Sequence, residues 1–295
     1  MTTVIVINYH NEDLTIHFVK NELSKLDGSY FVIVVNNGAT ENSDLKLSKG
    51  LEALIIKDGV YQESKNGIYI LSSIENLGFA RGNNMAASFA RENLNCDYFL
   101  FSNNDIRVVD SKTLHMLLRK YESIEKIGMI GPRVIGLEGE LQSPEPYQSF
   151  WDRYVWMNLS KICMPPKVRR KRFNLDYSQV AREGFHYKVM GSFFLMSAKD
   201  FFDCGMMDPK TFLFCEEPIL SERLKRIGKG VYYCPDTTVI HAHGATMKKT
   251  VGKGGVNRYM IESETYYYRH YKNVSSIFLC LGVMIHKLIM KLKSK

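Results

Sequence analysis

Short buried-type runs and amphipathic stretches alternate over the first 135 residues of this chain. Thr3 to Asn8 is β-branched and apolar, and stops at the polar tip Asn8-Tyr9-His10-Asn11. Residues 13–26 place Leu14, Phe18, Leu23 and Leu26 at helical spacing. Tyr30–Val35 predicts a second strand, closed by the turn former Asn36-Asn37-Gly38, and residues 43–52 a short helix. Tyr69–Ser72 and Tyr98–Phe101 predict further strands. Between them Asn76–Asn84 leads into a helix through Ala86, Ala87, Phe89 and Ala90. A helix from about Ser111 to Tyr121 and a strand at Met129–Ile130 complete this half. Such alternation implies a parallel sheet with right-handed crossovers.

Three predicted strands end in amides or acids, at Asn8, Asn36–Asn37 and Ser102-Asn103-Asn104-Asp105. Polar tips gathered at one edge of an open α/β sheet make a crevice that can hold a nucleotide. Asp105 offers a hard oxygen to a divalent cation, and the cation could in turn hold a diphosphate. No GxGxxG follows the first strand, against a dinucleotide enzyme, and no GxxxxGK[ST] occurs, against a P-loop enzyme.

The second half has another texture. Residues 144–182 hold four prolines, both tryptophans and the basic run Lys161–Arg172, and read as an excursion from the sheet. Val189–Ser197 is a strand pattern interrupted by Gly191. Phe212-Leu213-Phe214-Cys215 delivers the adjacent acids Glu216 and Glu217 to the start of a helix carrying Leu220, Leu224 and Ile227. Two short strands, Val231–Tyr233 and Thr238–Ile240, precede His241, and Glu262–Tyr271 is a tyrosine-dense helix. The net charge of +8 is concentrated in Lys161–Arg172 and in Lys287, Lys291, Lys293 and Lys295. Two basic clusters suit an anionic surface, and the missing aromatic motifs of RNA-binding folds favour membrane over nucleic acid. Ile277–Met290 is too short and interrupted to span a bilayer, and suits a helix lying in its interface. Six cysteines without paired spacing, and a start that enters Val4–Ile7 without a basic leader, are expected of a reduced cytoplasmic protein.

Taken in order, these pieces resemble the family 2 glycosyltransferases, inverting enzymes with the GT-A fold. VIVINYHN at the start, VVNNGAT at 34–40, NLGFARGNN at 76–84, FSNND at 101–105, FLFCEEPILSERLKRIGK at 212–229 and HAHGAT at 241–246 are each similar to a family motif in the family's order. The resemblance covers roughly residues 3–272. It implies an α/β fold with a Rossmann-like, mostly parallel sheet flanked by helices, a nucleotide-binding half (1–135) and an acceptor half (136–272); the basic amphipathic C-terminal segment (273–295) lies beyond it and is read from its own pattern.

The resemblance also implies roles. Asn8, Asn36, Asn76, Asn83 and Asn104 would contact the nucleotide, with Asn36 and Asn83 on a uracil or ribose edge. Asn36 stands where the family has Asp, which leaves UDP beside dTDP or GDP as the donor nucleotide. Gly78 and Gly82 permit close backbone approach. Arg81 would face either the diphosphate or solvent, and Arg269 the diphosphate. Asp105 would bind Mg²⁺ or Mn²⁺, with His241 a further contact to metal or diphosphate, while Asn103 replaces the first family acid. Gly191 and Ser192 would floor the sugar pocket. Inversion needs one base for the acceptor hydroxyl. Glu217 aligns with it, leaving Glu216 for acceptor or sugar binding. The expected geometry sets Asp105 and Glu217 across a gap for one hexose. The expected partners are a nucleotide-sugar and a glycan or lipid-linked acceptor at the inner face of the cytoplasmic membrane, in bacterial surface-polysaccharide synthesis. The alternatives are a binding protein that has lost activity, which the Asn-for-Asp changes favour, and a sugar-1-phosphate nucleotidyltransferase. The second would need a glycine-rich N-terminal loop, and residues 4–20 contain none.

Overall fold

The computed structural model describes residues 1–56, 61–172, 181–242 and 252–293. His243, Gly244 and Thr246 of the histidine motif and Lys295 of the basic tail lie outside the described residues.

Ten strands among the described residues form one mixed sheet. They are β1 (Thr2–Asn8), β2 (Tyr30–Asn37), β3 (Leu54–Ile56), β4 (Ile68–Ser73), β5 (Tyr98–Ser102), β6 (Ile106–Val108), β7 (Ile127–Ile135), β8 (Gly184–His186), β9 (Phe193–Ser197) and β10 (Gly230–His241). The order is β3-β4-β2-β1-β5-β9-β7-β10-β6, with β8 beside β10. Strands β3, β4, β2, β1 and β5 run parallel, and β9 enters antiparallel between β5 and β7.

Successive residues in the central strands serve opposite faces, as a pleated strand requires. Val4, Val6, Val32, Val34 and Leu100 join one core with Phe18, Leu23, Leu47, Leu51, Leu114 and Leu117 of the helical segments on that side. Ile5, Ile33, Val35, Phe99 and Phe101 join another with Ala80, Ala86, Ala87, Ala90, Phe201, Leu220 and Leu224. Both faces are therefore covered, which is why β1, β2 and β5 read as unbroken apolar runs. A third cluster, Phe150, Tyr154, Ile219, Tyr267, Tyr268 and Leu279, joins the excursion to the C-terminal helices Gly252–Tyr271 and Ser276–Lys293.

Several elements differ from the sequence reading. The signature Asn76–Asn84 does not lead into a helix but supplies its first turns, since the helix runs Gly78–Asn93. Its apolar side is mostly alanine and glycine, a weak periodic signal that nonetheless packs closely: a Cβ at Gly82 would lie 3.1 Å from Ile7 Cδ1. The two short strands predicted at 231–240 are one strand whose pairing with β7 shifts between Cys234 and Thr238. Strands β3, β6 and β8 are three residues each, too short to leave a pattern. The excursion is largely helical, over Asp152–Trp156, Met157–Cys163 and Pro166–Arg172.

Candidate active site

Register places the polar residues at one edge. Asn8 pairs with Asn36, Asn36 with Ser72, Asn37 with Ser73, and Val6 with Ser102. Because β9 runs the other way, Ser102 pairs with Phe193 at its start, so Gly191-Ser192 arrives at the same edge. Ile106 pairs with His241 at the end of β10, which brings that histidine to the Asp105 loop.

The amides at the tips are tied to one another. Asn8 Nδ2 donates to Asn36 Oδ1 (2.9 Å), and Asn36 Nδ2 donates to Ser43 Oγ (2.8 Å) and Asp44 Oδ1 (2.7 Å). Thr15 Oγ1 donates to Asn8 Oδ1 (2.7 Å) and accepts from Asn104 Nδ2 (2.8 Å). Asn104 is thereby fixed, and with it the backbone entering Asp105. Asp44, eight residues beyond Asn36, puts a carboxylate at the tip where the resemblance expects an acid.

Asp105 and His241 meet inside this edge. Asp105 Oδ1 lies 3.3 Å from His241 Nε2, and both side chains are buried to about nine-tenths. That oxygen receives no hydrogen bond. The other ring nitrogen, His241 Nδ1, is held 2.8 Å from Gln142 Oε1. A buried oxygen without a donor is costly unless something positive completes it. Hard carboxylate oxygen with imidazole suits Mg²⁺ or Mn²⁺. No cluster of three metal-binding side chains occurs among the described residues. The pair would hold such a cation, which would supply positive charge to an anionic ligand.

Glu216 and Glu217 open the helix Glu216–Arg226. Phe214 (φ 74°) and Cys215 (φ 68°) both adopt left-handed backbone immediately before it. Two consecutive side-chain-bearing residues in that region are strained, and such strain is retained where the surroundings impose it. The turn sends the two acids in different directions. Glu217 Oε1 accepts from Gly191 N–H at 3.0 Å. Glu216 is 5% exposed and its Oε1 has no hydrogen-bond partner. Burial first, then the charge of Glu217, pushes the Glu216 carboxyl up to about 8. Lys188 bonds Glu145 at 3.0 Å. Burial opposes its charge, but Glu145 and Glu217 outweigh that and keep the ammonium ionised. Ser192 carbonyl accepts from Asn103 N–H at 2.8 Å. The dipeptide Gly191-Ser192 thus touches Glu217 on one side and the Asp105 loop on the other.

The glycine-asparagine signature supports this arrangement from behind. Phe79 N–H donates to Phe212 carbonyl at 2.9 Å, and a Cβ on Gly78 (φ 74°) would lie 2.3 Å from that oxygen. Asn84 bonds Met207 through both backbone groups, at 2.9 and 3.1 Å. The signature therefore holds the loop that delivers Glu216 and Glu217. Asn76 and Asn37 bond each other (3.0 Å), and Asn83 Nδ2 donates to Phe79 carbonyl (3.0 Å) with its side chain buried. Arg81 is exposed and donates to Leu77 carbonyl at 3.0 Å. Arg269 is not brought to the Asp105–Glu217 edge; it lines a groove between the two C-terminal helices.

Sequence reasoning missed Lys188, Glu145, Thr15 and Asp44. Lys188 alone left a signal, a single cation opening the apolar run VMGSFFLMS. On the far side of the helix, Asp208 accepts from Tyr271 (2.6 Å) and Tyr266 (3.0 Å) and pairs with Arg223 (3.1 Å). Burial opposes its charge, but these partners outweigh it and hold the carboxyl below its usual range.

Residues 3–196 match the profile of Glycosyl transferase family 2, about two thirds of the chain. The chain belongs to this family. It is 23% identical over 241 residues to the low-salt glycan biosynthesis hexosyltransferase Agl10 of Haloferax volcanii, covering 81% of this chain and 66% of that protein. Among solved structures it resembles GalNAc-T7 with UDP, GalNAc and Mn²⁺ (TM-score 0.52, 12% identity, 82% of this chain and 43% of that one). It also resembles the mannosyltransferase PcManGT from Pyrobaculum calidifontis in complex with GDP-Man and Mn²⁺ (TM-score 0.54, 14% identity, 92% and 63%). These structural likenesses establish the GT-A fold. The chain spans less than two thirds of the length of these relatives.

Proposed function

We propose that this family 2 chain is an inverting glycosyltransferase. It moves a sugar from a nucleoside-diphosphate sugar, a UDP-sugar first and a dTDP- or GDP-sugar next, to a hydroxyl of a glycan or lipid-linked acceptor. The observation that carries the reading is the bridge Gly191-Ser192, which ties Glu217 to the loop bearing Asp105. Glu217, held by one amide N–H, is the base that takes the acceptor proton as the hydroxyl attacks. Glu216, protonated below about pH 8, shapes the sugar pocket without adding a second negative charge. Asp105 and His241 would hold Mg²⁺ or Mn²⁺. The cation supplies charge neutralisation for the diphosphate. Asn8, Asn36 and Asn104, with Asp44 behind them, form the nucleotide edge. The site of action is the inner face of the cytoplasmic membrane, in surface-glycan synthesis, with the C-terminal segment touching the bilayer.

The test is thermal denaturation with UDP-, dTDP- and GDP-sugars, with and without Mn²⁺. At a hundredfold excess over Kd a ligand of the native state adds about 2.7 kcal/mol, a rise of several degrees. One nucleotide should raise Tm with Mn²⁺ and less without it. No shift with any nucleotide would refute the proposal. The Asn replacements at 36 and 103 favour one second reading, a nucleotide-sugar binder without turnover. It predicts the same shift and no release of nucleoside diphosphate.

A further inference from the structure

The helix Ser276–Lys293 is apolar on two sides. Leu279 and Ile289 are buried, and a Cβ on Gly282 would lie 2.4 Å from Phe150 Cζ, so one side packs against the domain. The other side carries Ile277, Phe278, Leu281, Met284 and Leu288, all exposed, Ile277 by 80%. The excursion adds to this surface. Trp151 is exposed and packs edge-on against Phe278 (5.1 Å), and Trp156 (55% exposed), Leu159 and Val168 continue outward. A groove of about 890 Å³ between the helix Ser276–Lys293 and Gly252–Tyr271, lined by Ile261, Val283, Met284 and Leu288, opens beside it, with Glu262, Arg269 and Lys287 also at its wall. So large an exposed apolar surface marks an interaction site.

Charge identifies the partner. Residues 151–172 and 272–293 hold a single acid, Asp152, against Arg153, Lys161, Lys167, Arg169 to Arg172, Lys287, Lys291 and Lys293, while Lys272 is paired with Glu222. A second copy of this face would oppose cation to cation, which disfavours self-association. An anionic bilayer offers both hydrocarbon and negative charge. Among the described residues no helix is long and apolar enough to cross a membrane, so the contact is in the interface plane.

We infer that Trp151–Val168 and the outer side of Ser276–Lys293 form one composite face that docks on an anionic bilayer and presents Glu217 to an acceptor at the lipid–water boundary. The two elements are one body. Asn158 Nδ2 meets His286 Nδ1 at 3.1 Å, and Arg153 and Tyr154 bond Glu264 of the adjoining helix Gly252–Tyr271 at 2.8 and 2.7 Å. The same cluster contains Ile219, two residues beyond Glu217, so the height of the base above the docked surface is fixed. This deepens the membrane contact proposed above and rests on it for the acceptor class.

Trp151 and Trp156 are the chain's two tryptophans, so native emission reports on this face. The full chain is mixed with phosphatidylcholine vesicles with and without about 30% phosphatidylglycerol. Partitioning roughly tenfold stronger to the anionic vesicles, a blue-shifted emission and quenching by brominated acyl chains are expected. The variant Leu281→Glu/Met284→Glu/Leu288→Glu, checked for folding by circular dichroism, should lose at least tenfold in partitioning. Failure of the folded parent to bind either vesicle, unquenched tryptophans in bound protein, or unchanged binding of the variant would overturn the inference. So would a vesicle-free dimer that the variant dissolves. Nucleotide-sugar thermal shifts are measured on the same samples without vesicles. A parent that shows the shift but does not partition refutes the docking face alone, and a parent that partitions but shows no shift refutes the transferase reading alone.

Discussion

Replacing Gly191 with alanine should disable the base while leaving the fold in place. The added Cβ would lie 2.2 Å from Glu217 Oε1, 2.7 Å from its Cδ and 2.9 Å from its Cγ. These atoms are the far end of a flexible side chain, so the clash is relieved by moving the carboxylate rather than the backbone. Relief to an ordinary contact displaces Oε1 by about 1 Å or more and breaks its 3.0 Å bond from the Gly191 amide. A misplacement of that size costs roughly 10²-fold in rate, about 2.7 kcal/mol in the barrier. The nucleotide edge is untouched, so donor affinity should stay within about twofold. The assay is release of nucleoside diphosphate under saturating donor, beside donor-induced thermal shifts. Full kcat in a folded Gly191→Ala variant would refute the assignment of Glu217 and the role of the amide that orients it.

Other outcomes follow from the same geometry. Glu216→Gln should gain stability over the parent as pH rises. The folded acid keeps its proton to about pH 8 while the unfolded one releases it near 4.5, so the parent loses stability across that window, on the order of a few kcal/mol; a Tm difference that is flat between pH 5 and 8 would contradict this. Gly78→Ala should destabilise by roughly 2–3 kcal/mol in urea unfolding, from left-handed strain plus the displaced Phe212 carbonyl; a change under about 0.5 kcal/mol would show that the signature does not clamp that loop. Asp105→Asn should abolish the Mn²⁺-dependent part of the donor thermal shift and leave the apo Tm within a degree or two, since the buried oxygen it alters has no protein donor to lose.

How much was legible in the sequence depended on the kind of force holding each part. Strands β1, β2 and β5 are buried on both faces, and so announce themselves as apolar runs with polar tips. The acids at 216–217 and Asp105 follow such runs, which marked them as site residues. The signature Asn76–Asn84 was readable as a motif but not as a helix start, because small residues chosen for close packing give little amphipathic signal. Asn76 and Asn83 were expected at a nucleotide; Asn76 bonds Asn37 and Asn83 donates to the Phe79 carbonyl. Arg269 was expected at the diphosphate and lies in the C-terminal groove, a placement fixed by how Gly252–Tyr271 packs on the excursion. Lys188 and Glu145 are far apart in sequence and bond across the fold, so nothing local could pair them.

The central claim is that Glu217 removes the acceptor proton beside a donor held at the Asp105 edge. Glu217→Gln keeps the size of the side chain and an oxygen able to accept from Gly191 N–H, but removes the basicity. Measured side by side for parent and variant, transfer to acceptor should fall by at least 10²-fold while the nucleotide-sugar and Mn²⁺ thermal shift persists. Transfer at the parental rate in Glu217→Gln would contradict the account.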